Sequence, residues 1–148
     1  MFYGESVRDT RPMFYLSWHK YRHNQPLLPL EKQIVDVIIT HPEYHALLEA
    51  TMPDHHQTYF PELGETNPFL HLGFHLAIRE QVATDRPPGI AGIYQQLINK
   101  YTDTAAVEHL LMEHLADCLL QAQRDQKMPD EVHYLNACRH LLFENIKR

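Results

Sequence analysis

The sequence predicts an all-α fold, a compact helical bundle of about five to seven helices in one domain. Three observations lead there. No stretch shows sustained period-two alternation rich in β-branched residues. Apolar residues instead recur at three- and four-residue spacing along most of the chain. Between those periodic stretches, ten prolines and five glycines act as punctuation. A chain of 148 residues has the size of one domain. It can bury ~68–70% of its unfolded surface, so folding requires neither disulfides nor a structural metal.

The elements follow in order. A first helix is expected from about Ser6 to His23, with Pro12 near its first turn or kinking it. Pro26 and Pro29 separate it from a second, Leu30 to Thr40, where Ile34, Val37, Ile38 and His41 share helical spacing. Pro42 breaks or bends that helix, and Glu43 to Ala50 resumes the pattern. Thr51 to Glu65 contains Pro53, Pro61 and Gly64, lacks periodicity and reads as a loop. Asn67-Pro68 is a helix start, with Asn as N-cap and Pro at the first helical position. That helix runs to about Ala83, where Asp85-Arg86-Pro87-Pro88-Gly89 ends it. Ile90 to Tyr101 forms a short helix, Asp103 or Thr104 caps a long one to about Gln126, and Glu131 to Ile146 closes the chain after Met128-Pro129-Asp130.

Composition excludes several classes of function. Thirteen basic and 19 acidic side chains give a formal charge of −6, which argues against broad binding to nucleic acid or anionic membrane. No apolar run approaches the ~18 residues of a membrane span. The N-terminus lacks the basic and apolar regions of a signal peptide. Two cysteines, Cys118 and Cys138, are too few for a secreted disulfide scaffold. A cytoplasmic protein is the expectation. Nucleotide-binding glycine motifs, HExxH and GxSxG are absent. His114 and Cys118 share a helical face, but buried inert cysteine is the common case.

Twelve histidines, spread along the chain, are the compositional outlier. On a helical wheel His71 and His75 lie one turn apart on a helix that is apolar nearly all round, the pattern of a central helix. His41 falls between Ile34 and Ile38, and His45 extends that stripe if the helix only bends at Pro42. If it breaks, His41 becomes a capping position and His45 alone stays inward. His109 and Glu113 are again one turn apart, on the long helix. Imidazoles and carboxylates at four-residue spacing on one helical face can bind one ion together. Helix bundles build metal sites from such facing side chains. The expected ligands are His45, His71, His75, His109 and Glu113, with Glu65, Glu80 and Glu108 as additional ligands or supporting partners. The donors suit zinc or non-haem iron, mono- or dinuclear, and no organic cofactor is expected.

Other histidines read differently. His19 and His23 sit among Trp18, Lys20 and Arg22 on a solvated face, and His55, His56, His133 and His140 read as surface or packing residues. The alternative is an interaction domain whose histidines only hydrogen-bond in the core, with the Tyr15/Trp18/Tyr21 region and the long Thr51–Glu65 loop as its candidate surfaces and a homo-oligomer as one outcome. A weaker idea is pH sensing by buried histidines.

The stretches HPEYHALLE from His41, GETNPFLHLGFHL from Gly64, DRPPGI from Asp85 and EHLLME from Glu108 resemble the signature blocks of a small bacterial domain-of-unknown-function family of about this length. The resemblance covers most of the chain and implies neither substrate nor catalytic residue. The blocks contain His45, His71, His75, His109 and Glu113. A looser architectural similarity is to hemerythrin-like and DinB-like metal-binding bundles, whose ligand order differs from the one here.

Overall fold

The structure, a computed structural model, describes residues 7–50 and 67–144, with side chains from Arg11 onward. Seven α-helices and no strand occur among the described residues. They are α1 (Val7–Arg22), α2 (Pro29–Ile39), α3 (His45–Glu49), α4 (Pro68–Thr84), α5 (Ile90–Tyr101), α6 (Thr104–Asp125) and α7 (Glu131–His140). Single 3₁₀ turns cover Pro42–Tyr44 and Leu141–Phe143. The chain divides into two compact units, Met1–Ala77 and Ile78–Arg148, with the boundary inside α4.

In the first unit α1 packs on α2 and α3. Pro12 sits inside α1 without ending it. Phe14, Tyr15 and Trp18 join Ile34, Val35, Val37 and Ile38 of α2 in one apolar cluster, with Leu48, Phe69, Leu72 and Leu76. Asn24, with φ of 55°, terminates α1, and the Gln25 N–H reaches back to the Lys20 carbonyl at 2.8 Å. Glu31 ties the next element in place. It receives the Leu28 N–H at 2.8 Å, which satisfies an orphan donor at the start of α2, and Lys20 Nζ at 2.9 and 3.1 Å. The Leu28 hydrogen bond first, and Lys20 second, hold its carboxyl below the usual carboxylate range.

Pro42 breaks the helix rather than bending it. His41, with φ of −126° and ψ of 68°, leaves α2, as the residue before a proline tends to. The predicted loop Thr51 to Glu65, with Glu65 and the His55-His56 pair, lies outside the described residues.

Asn67 caps α4 as its sequence predicts, its Oδ1 accepting from the Phe69 and Leu70 N–H groups at 3.0 and 3.2 Å. In the second unit Asp85 Oδ1 takes the Gly89 and Ala91 N–H groups, both at 3.0 Å, and so starts α5. Asp103 and Asp130 cap α6 and α7 by accepting from Ala106 and His133. Ile90, Ile93 and Leu97 of α5, Val107, Leu110, Leu111 and Leu115 of α6, and Tyr134 and Cys138 of α7 are buried. Tyr134 donates to Gln81 Oε1 at 2.6 Å, a hydrogen bond buried at both ends. The last helix ends earlier than its predicted limit at Ile146. α7 stops at His140 and a 3₁₀ turn follows, whose Leu142 carbonyl receives Lys100 Nζ at 2.9 Å.

Candidate metal centre

The site is built where the end of α2 meets one turn of α4. Thr40 Oγ1 donates to the Val37 carbonyl at 2.7 Å and lies 3.1 Å from His41 Nδ1. His41 Nδ1 is itself 2.8 Å from that carbonyl. A carbonyl only accepts, so Nδ1 carries the proton and Nε2 the lone pair. The same arrangement holds the ring inward after the chain has left the helix, and His41 is only 6% exposed.

α4 supplies His71 and His75 one turn apart, half-buried and buried respectively. Their Nε2 atoms approach to 3.2 Å. Two nitrogens at ~2.0–2.1 Å from one tetrahedral ion would stand about 3.3 Å apart, so this spacing, which here holds a hydrogen bond between the two rings, would suit a shared ion that displaced the bonding proton. The His41 ring centroid lies 5.1 Å from that of His71 and 4.6 Å from that of His75, and the rings meet edge-on. One nitrogen from each of the three falls within 4.8 Å of the others. Tyr44 stacks parallel to His41 at 5.6 Å and meets His71 edge-on at 6.2 Å, walling this cluster. Burial first, and then the Glu43 charge, push its hydroxyl pKa up.

The expected ligands fare differently. His71 and His75 come together as their spacing predicts. His45 does not join them, and His41 takes its place. His45 Nε2 lies 2.8 Å from the Ile38 carbonyl, to which it donates, and its ring packs 4.6 Å from that of Trp18. That nitrogen therefore offers no lone pair. The break at Pro42 removes the helical register that put His45 on the inward stripe, while the Val37 hydrogen bond keeps His41 there. The signal available in sequence was His41 directly before a proline at a helix end.

In the second unit His109 is half-buried on α6 and Glu113 is exposed. Glu80 is exposed as well. Glu108 is 3% exposed and its carboxylate takes Arg79 Nε at 3.0 Å and Nη2 at 3.4 Å. Arg79 thus supplies a partner for that buried carboxylate. Cys118, paired with His114 in the wheel, has its thiol pKa pushed up by burial and donates weakly to the Asp130 carbonyl at 3.8 Å. That is the opposite of an activated nucleophile.

What fold and site define is an all-α protein with a buried histidine cluster able to hold a metal ion. The chain belongs to the family described as Domain of unknown function (DUF1841), whose model matches residues 6–140. No curated protein and no solved structure matches it. None of the described helices is long and apolar enough to cross a membrane.

Proposed function

We propose that this protein binds a transition-metal ion through His41, His71 and His75. The observation that carries the reading is the convergence of the His41 ring on the His71/His75 pair, one nitrogen of each lying within 4.8 Å of the others. An imidazole donor set suits zinc or iron(II) and disfavours magnesium and calcium, which prefer oxygen. The Val37 carbonyl does for His41 what second-sphere acceptors do for metal-bound histidines, fixing tautomer and ring orientation.

Elemental analysis of untagged protein, before and after reconstitution with Zn²⁺ or Fe²⁺, tests the reading beside a His71→Ala/His75→Ala variant checked for helix content. Near-stoichiometric metal in the parent and none in the folded variant is expected. No retained metal after reconstitution, and no change in melting temperature on chelation, would overturn the proposal and leave the histidines to core hydrogen bonding.

A further inference from the structure

Away from the buried cluster, the end of α1 carries another pair of histidines one helical turn apart, His19 and His23, both exposed. The His19 carbonyl accepts twice from His23, from its backbone N–H at 3.1 Å and from its ring Nδ1 at 2.9 Å. A carbonyl only accepts, so Nδ1 of His23 carries the proton and Nε2 keeps its lone pair. The same contact folds the ring back along the helix, and the two ring centres stand 4.1 Å apart.

That separation favours one coordination geometry over another. With metal–nitrogen bonds of ~2.0–2.1 Å, two imidazoles on one ion lie about 4.4 Å apart, centre to centre, when they meet it at a right angle, and about 5.1 Å apart at the tetrahedral angle. The pair on α1 is nearer the first. Right-angled nitrogen coordination is that of tetragonal copper(II) and nickel(II), and copper(II) heads the affinity order of the divalent ions. The surrounding charges do not oppose a cation. Lys20 gives its ammonium to Glu31 at 2.9 and 3.1 Å, and Arg22 pairs with Glu49 at 3.3 Å. The carbonyl end of α1 adds a negative partial charge, which attracts a cation within the last turn.

We propose that His19 and His23 form a solvent-facing site for a tetragonal divalent ion, copper(II) before nickel(II), with water in the positions the two imidazoles leave. The site shares no residue with the buried cluster and does not depend on whether that cluster holds an ion. Trp18, the protein's single tryptophan, precedes His19 in the chain, so quenching of its emission by copper(II) reports on occupancy.

The test adds copper(II) to untagged full-length protein near neutral pH, with glycine present to hold loosely bound ion, and compares the parent with His19→Gln/His23→Gln. Copper taken by other histidines is common to both proteins, so the difference isolates the pair. The parent is expected to take up one more equivalent, which quenches Trp18 emission and gives an axial electron paramagnetic resonance spectrum with two coupled imidazole nitrogens. His19→Gln or His23→Gln alone should weaken that equivalent about tenfold or more, as should zinc in place of copper. His133→Gln/His140→Gln, which removes two exposed histidines elsewhere, should leave it unchanged. Circular dichroism confirms the fold of each variant. The proposal is overturned if the parent and His19→Gln/His23→Gln take up equal copper, if either single variant binds as tightly as the parent, or if His133→Gln/His140→Gln loses as much.

Discussion

Replacing Tyr134 by phenylalanine removes the oxygen that bonds Gln81 and also meets the Cys138 thiol. The hydroxyl donates to Gln81 Oε1 at 2.6 Å, and the two residues are 3% and 5% exposed. Phenylalanine keeps the ring packing but strands the glutamine oxygen, at a cost of about 1–3 kcal/mol. For a chain of this size that lowers the melting temperature by roughly 2–12 °C. Urea unfolding measures it as a lower midpoint at unchanged slope. A Gln81→Met partner completes a double-mutant cycle, with a coupling of about 0.5–3 kcal/mol expected if the bond is the cause. There is also a pH signature. Burial first, with Cys138 adding to it, raises the Tyr134 pKa well above its ordinary value of 10.0. The folded protein then keeps a proton that the unfolded chain has lost, so this contribution is whole below about pH 10 and declines above it. The phenylalanine variant should lose less stability on going from pH 9 to 11 than its parent does. Equal midpoints at neutral pH together with parallel alkaline losses would refute the reasoning.

Cys138 follows the same sign, its thiol pushed up to about 12 by burial, so Cys138→Ala should flatten the decline that begins above about pH 9. Glu31 runs the other way. Its pKa is lowered from 4.5, so its contribution is present above that value and is lost as pH falls through it; acid titration of Glu31→Gln should show a shallower loss below pH 4.5. Asp103→Ala removes the acceptor for the Ala106 N–H and should cost about 0.5–2 kcal/mol in thermal unfolding. Zinc at a hundredfold excess over Kd should stabilise the parent by about 2.7 kcal/mol, and the His71→Ala/His75→Ala variant not at all.

Local chemistry was readable from the sequence wherever one residue's own backbone decides the outcome. Asn67 before Pro68 caps the helix it was expected to cap, and of the two candidates Asp103 and Thr104 it is Asp103 that caps α6. The inward pair on α4 was equally legible, because a single regular helix fixes the relation of His71 to His75. The choice between His41 and His45 was not, because it depends on dihedral angles at a junction. Whether a proline bends or breaks a helix depends on what the preceding residue can bond to, here the Val37 carbonyl for His41 and the Ile38 carbonyl for His45. Glu108 shows the other limit. Its position on the apolar face was visible, but Arg79 lies 29 residues away and only tertiary structure brings it there.

The break at Pro42 has a consequence for how a bound ion would act on the chain. His71 and His75 come from one turn of one helix, so an ion held by those two alone would constrain little beyond α4. His41 lies at the end of a separate helix, roughly thirty residues earlier. An ion shared with it becomes a cross-link, closing a loop of that length in any unfolded form that retains the metal. In the chain-entropy treatment used for disulfides, such a closure is worth about 3–4 kcal/mol. The preproline junction would make the ion a reversible staple, set or released by metal supply rather than by redox state.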